Sequence, residues 1–158
     1  MKPVHEINYL FNKHLLLTEI EHLKGHSKAY TDNRYSAAAD NWRIIKETNL
    51  KVGEKETQRF LDFYNISNSG SCRYYILKKN TSLQMHVDNH TTCSVNVILN
   101  NNCAPVTVED VDYFYSTAIL NTQKRHGVIN SDTDRLLFKI SFFDLPYEEL
   151  VKIVSSVQ

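Results

Sequence analysis

His86 and Asp88 lie one residue apart in the stretch SLQMHVDNHTTCSVNVILN, where Val, Thr, Leu, Ile and Cys occur without a helical stripe. Side chains at i and i+2 of a strand leave the same face, so the imidazole and the carboxylate are expected to project into one space. A second histidine on a neighbouring strand, His126, would complete a set of two histidines and one carboxylate. Such a set fills one face of an octahedron, suits non-haem Fe(II) and leaves the opposite positions open for a cosubstrate and oxygen.

The segment STAILNTQKRHGVINSDTDRLLFKISFFD supplies the remaining chemistry. Residues 126–129 and 136–140 read as two strands joined by a polar turn over 130–134. A hairpin there would set Arg135 beside His126 across an antiparallel pair. Its guanidinium is a rigid fork matched to a carboxylate. A cosubstrate with a carboxylate at its far end would be held by Arg135 while its near end chelates the metal.

The pieces RYYILKKNTSLQMHVDN, CSVNVILN, LNTQKRHGVIN and RLLFKISFFD cover roughly the C-terminal half. In them the chain resembles the Fe(II)/2-oxoglutarate-dependent oxygenases, in particular the aspartyl/asparaginyl β-hydroxylase-like and phage-type branches. The resemblance implies a double-stranded β-helix with Fe(II) on His86, Asp88 and His126, 2-oxoglutarate on Arg135, and O2 as the oxidant. The implied reaction decarboxylates 2-oxoglutarate to succinate and CO2 while a substrate is hydroxylated. Some β-hydroxylase-like members lack the carboxylate ligand, whereas this chain keeps Asp88. The resemblance also points Asn96 toward the cosubstrate pocket. Of Tyr74 and Tyr75, alternation sends one inward, where its hydroxyl could reach the cosubstrate; Tyr75 is the candidate, but which of the two faces the pocket is not legible. Arg125 should point away from the pocket. Lys139 shares a face with Arg135 but is expected in solvent at the barrel end. His90 is expected in a loop at the mouth, because the segment lacks the Glu and the helical character of an HExxH zinc site.

The elements that must position these groups are legible in outline. Residues 4–24 read as an amphipathic helix carrying His5, His14 and His22, with Gly25 ending it. Residues 26–41 read as a polar loop with one helical turn, 42–46 as a short strand or a helix end, and 54–64 as a second helix. Strands follow at 73–78, 83–88, 93–99, 105–108, 112–115, 117–120, 126–129 and 135–143, separated by Asn-rich turns, with a helix after Pro146. Short strands at this spacing argue for a jelly roll. The expected fold is α+β, mainly β: one oxygenase domain over 1–158, with helical support in 1–70, a cupin-like jelly-roll barrel in 71–145 and a C-terminal helix in 146–158.

Lys and Arg together number 18, as do Asp and Glu, so no net charge draws the chain to nucleic acid or an acidic membrane surface. Cys72, Cys93 and Cys103 show no CxxC spacing and read as reduced thiols of a cytoplasmic protein. His, Glu, Asn and Lys interrupt the N-terminal apolar stretch, against a signal peptide or a membrane span. The expected partner is a small-molecule, peptide or protein substrate; the oligomeric state is not legible. Two other readings share these residues: a cupin-like metal enzyme without 2-oxoglutarate, for which Arg135 would be dispensable, and a non-catalytic β-barrel binding module.

Overall fold

The computed structural model describes residues 1–29, 41–46 and 49–157. Its elements are β1 (Val4–Glu6), α1 (Lys13–Leu23), a 3-10 turn (Lys24–His26), β2 (Lys28–Ala29), β3 (Trp42–Ile45), α2 (Lys51–Phe63), β4 (Gly70–Leu77), β5 (Ser82–His86), β6 (Cys93–Ile98), β7 (Val106–Val108), β8 (Val111–Tyr113), β9 (Thr117–Leu120), β10 (His126–Ile129), β11 (Arg135–Phe142) and α3 (Tyr147–Ser155). The strands form a seven-stranded sheet, β1-β9-β6-β11-β4-β3-β2, and a four-stranded sheet, β5-β10-β7-β8, antiparallel throughout. This is the double-stranded β-helix expected from the strand pattern. Tyr30, Arg34, Tyr35 and the Ala37–Ala39 run of the expected polar loop lie outside the described residues.

The large sheet separates two cores, and the period-2 alternation of its strands decides which residue enters which. On its helical side, Tyr74, Val95, Val97, Phe138 and Ile140 pack with Leu16 and Ile20 of α1, Phe60 of α2 and Leu150 of α3. Between the sheets, Tyr75, Leu77 and Leu120 meet Val106, Val108 and Val128 of the small sheet. The helices are tied together by Glu19 of α1, whose carboxylate accepts from the amides of Val52 (2.8 Å) and Gly53 (3.0 Å) in the first turn of α2. It thereby satisfies donors that every helix start leaves unpaired. The Tyr74 hydroxyl donates to the same carboxylate at 2.7 Å, linking β4 to both helices.

Two expectations are corrected. The chain does not enter a helix at residue 4: Val4–Glu6 pairs with Ala118–Leu120 of β9, and α1 starts only at Lys13. The apolar residues before it follow period 2. Ile7, Tyr9 and Phe11 are buried, and Leu10 between them is 83% exposed. Residues 126–129 and 135–142 do not form a hairpin either. β10 belongs to the small sheet and β11 to the large one, where it lies between β4 and β6. The polar turn therefore carries the chain across the sandwich, so Arg135 and His126 lie on opposing sheets.

Candidate metal centre

His86 ends β5 and pairs directly with His126, which opens β10; the register slips between His126 and Val128, so β5 carries an extra residue there. Gly127 lets the strands approach. A Cβ at this position would lie 2.6 Å from the Leu83 carbonyl oxygen. The two imidazole rings are 4.3 Å apart, centroid to centroid. Asp88 lies two residues beyond the end of β5, against the expectation of a strand reaching it, and its amide donates to the Thr122 carbonyl at 3.1 Å. Its carboxylate still turns to the histidines, with Oδ1 3.2 Å from His86 Nε2 and 3.6 Å from His126 Nε2.

The orientation of these rings is fixed through their other nitrogens. His86 Nδ1 is 2.8 Å from the Gln84 carbonyl oxygen, and His126 Nδ1 is 2.7 Å from that of Lys124. A carbonyl only accepts, so each Nδ1 carries a proton, and Nε2 is the ring atom turned toward Asp88. Burial drives the His126 pKa down to about 4, although the Asp88 charge acts in the opposite direction. Burial would raise the Asp88 carboxyl. The Lys139 charge, the hydrogen bond with His86 and the charges of His126 and His86 reverse this and hold it well below the usual carboxylate range. Two imidazole nitrogens and a carboxylate oxygen thus lie within 4.8 Å of one another, an arrangement that can hold a metal ion. Both Nδ1–H···O=C bonds are the outer contacts that fix metal-binding tautomers. The donor set fits a divalent cation. Among the described residues no other group of histidine, cysteine and carboxylate ligands converges in this way. His5 lies on β1, whereas His14 and His22 are exposed on α1.

The triad histidines line a pocket between the sheets whose walls include Trp42, Tyr75, Asn96, Tyr115, Arg135 and Lys139. Arg135, 4% exposed, donates through Nη1 to Asn102 Oδ1 (3.0 Å) and the Ala104 carbonyl (2.6 Å), and through Nη2 to Tyr115 Oη (3.3 Å). Each of these partners is neutral, and among the described residues no carboxylate pairs with this guanidinium. Asn96 Nδ2 donates to the same Tyr115 hydroxyl at 3.3 Å, and its Oδ1 accepts from Ser94 Oγ at 2.8 Å. Tyr75 faces this pocket while Tyr74 faces the helices. Trp42 stacks on Tyr75, with centroids 5.4 Å apart. Arg125 and His90 are exposed, as expected.

Lys139 departs from expectation. It lies inside the pocket, with Nζ 3.3 Å from Asp88 Oδ2 and 5.5 Å from the Tyr75 ring centroid. Strand alternation gave its face but not its depth, because β11 is the central strand of the large sheet. Tyr115 and Asn102 carry no sequence signal as site residues. Both sit in segments that read as strand end and turn, and only the fold brings them to Arg135.

No protein-family model matches this chain. No curated protein matches it either. Solved structures do. A prolyl hydroxylase from Trichoplax adhaerens, in complex with a hypoxia-inducible-factor oxygen-degradation-domain peptide fragment, superposes with a TM-score of 0.66 at 10% identity over 98% of this chain and 86% of that one. A Pseudomonas putida prolyl-4-hydroxylase gives 0.64 at 10% identity over 89% and 91%. The non-haem α-ketoglutarate-dependent epimerase SnoN of nogalamycin biosynthesis gives 0.60 at 13% identity over 90% and 78%. The fold shared with these structures is the double-stranded β-helix. One such fold serves hydroxylation and epimerisation alike, so the reaction must be argued from the site. Among the described residues no helix is long and apolar enough to cross a membrane.

Proposed function

We propose that this chain is an Fe(II)- and 2-oxoglutarate-dependent dioxygenase that hydroxylates an amino-acid side chain, free or within a peptide or protein. The observation that carries this reading is one pocket lined both by His86 and His126, whose Nε2 atoms meet the Asp88 carboxylate, and by a buried Arg135 served only by neutral groups. A buried cation without a counter-charge favours an anion beside it. A dicarboxylate with one end on the metal and the other on Arg135 meets that need.

In this reading His86, Asp88 and His126 hold the iron, and Arg135 orients the distal carboxylate of 2-oxoglutarate. When bound, the iron supplies the site at which O2 is activated as 2-oxoglutarate is decarboxylated. Asn96 and Tyr75 border the cosubstrate, Asn96 through its amide and Tyr75 through its ring and hydroxyl. Tyr115 bridges Arg135 and Asn96 and so fixes the angle of the guanidinium. Trp42, Leu77, Leu120, Val128 and Leu137 exclude water from the space between. The likeness to prolyl hydroxylases and the sequence resemblance to β-hydroxylase-like enzymes both favour a side-chain substrate.

The test is an anaerobic titration of Fe(II)-loaded protein with 2-oxoglutarate, following the visible charge-transfer band of the chelate. The wild-type chain is expected to develop the band. Asp88→Ala should lose it, and Arg135→Ala should need roughly a hundredfold more 2-oxoglutarate, the scale of a charge-assisted bidentate contact. An iron-loaded, folded protein with no band would remove the cosubstrate and favour a cupin-like metal enzyme. A chain that holds no iron would be a binding module.

A further inference from the structure

The two oxygens of Asp88 face different partners. Oδ1 meets both imidazoles, whereas Oδ2 lies 3.3 Å from Lys139 Nζ and accepts from the Thr91 hydroxyl at 3.3 Å. Lys139 comes from β11 in the middle of the large sheet, and Asp88 follows β5 at the edge of the small one. The contact therefore spans the two sheets at the metal centre. The Lys139 side chain is 12% exposed and that of Asp88 17%, so solvent screens the pair only in part. The ammonium also lies over the Tyr75 ring, which is backed by Trp42.

We propose that Lys139 is a positioning residue of the metal centre, engaging Asp88 Oδ2 so that the carboxylate presents Oδ1 alone to the ion. The inference rests on the metal-centre reading above. Its chemical purpose follows from counting positions. Three single-atom ligands leave three of six octahedral positions, two for a chelating 2-oxo acid and one for oxygen. A carboxylate that closes on the ion with both oxygens removes one of them. With Oδ2 committed to Lys139 and Thr91, that closure is opposed before any metal arrives. Lys139 adds positive charge without taking a ligand position, because an ammonium has no lone pair to donate.

The probe is Co(II), whose visible ligand-field spectrum reports the number and geometry of its ligands without turnover. Wild-type protein, Lys139→Met and Lys139→Arg are compared, first with Co(II) alone and then with added 2-oxoglutarate. The Met variant is expected to show a changed Co(II) spectrum and to bind 2-oxoglutarate roughly ten- to a hundredfold more weakly, the usual scale for losing an outer contact to a ligand. The Arg variant should return both toward wild type. Should Lys139→Met fail to fold, Lys139→Leu takes its place with the same two readings. A neutral variant that keeps the wild-type Co(II) spectrum overturns the inference. A wild-type chain that binds Co(II) but no 2-oxoglutarate sinks only the cosubstrate reading, and the spectrum alone then decides the role of Lys139. A wild-type chain that takes up no Co(II) overturns both.

Discussion

His126, a proposed metal ligand, is held by its surroundings in one orientation and one charge state. Its ring is buried, its Nδ1–H is fixed on a carbonyl, and its pKa is driven from 6.5 to about 4. A group whose pKa is lower in the folded state stabilises that state fully above the unfolded pKa, and the contribution is lost as pH falls through the folded one. For His126 the window runs from pH 6.5 down to about 4, and the drop from one value to the other corresponds to roughly 3 kcal/mol. The melting temperature of metal-free protein should therefore fall across this window, and His126→Gln should flatten the profile. A wild-type melting temperature that stays level from pH 6.5 to pH 4 would refute the assignment.

At the scale of elements, the metal centre depends on how closely β5 approaches β10. Gly127 permits this, since a Cβ there would also meet the Met85 amide nitrogen and sulfur at 3.0 Å. Those contacts are largely backbone, which cannot swing aside. Gly127→Ala is expected to cost about 1–3 kcal/mol in urea denaturation, as overpacking does. It should also weaken Co(II) binding about tenfold or more by parting His86 from His126. A variant with wild-type affinity for Co(II) would mean that the strands can separate without moving the imidazoles.

The elements also show what the sequence could and could not reveal. β10 begins and ends where the sequence reading put it, and β9 likewise, because both are short β-branched runs with clear turns. Residues 4–6 resemble a helix start because Ile7, Leu10 and Phe11 fit a period of 3.6, whereas the residues actually buried, Ile7, Tyr9 and Phe11, repeat every two. Its strand partner, Ala118–Leu120, lies far along the chain, and no local pattern announces it. The triad was legible from its residue types and order, although Asp88 reaches the histidines from beyond the end of β5. The position of Lys139 was not, since it depends on which sheet β11 joins.

For the molecule as a whole, the large sheet has an apolar core on its helical face, and a second core and the pocket on the other. Leu136, Phe138 and Ile140 of β11 face the helices, while Arg135, Leu137 and Lys139 alternate with them into the pocket. Phe138→Ala should cost about 3–5 kcal/mol of unfolding free energy. The folded fraction should still bind Co(II) with wild-type affinity, since Phe138 touches no ligand. A parallel loss of affinity, measured where the protein remains folded, would show that the two faces are coupled through the strand.

The pairing of β1 with β9 has a further consequence, for the order of events during synthesis. Val4 leaves the ribosome well before its partner Leu120. The opposite edge differs, since β2, β3 and β4, which pair in that order, are all made before β9. A nascent chain that has reached β6 but not β9 lacks both partners of β6, β9 and β11, so β6 and β1 wait with unpaired backbone. Contacts this distant in sequence are slow to close. The large sheet is therefore completed late, and until then the exposed strand edges are where a chaperone, or a second nascent chain, would bind first.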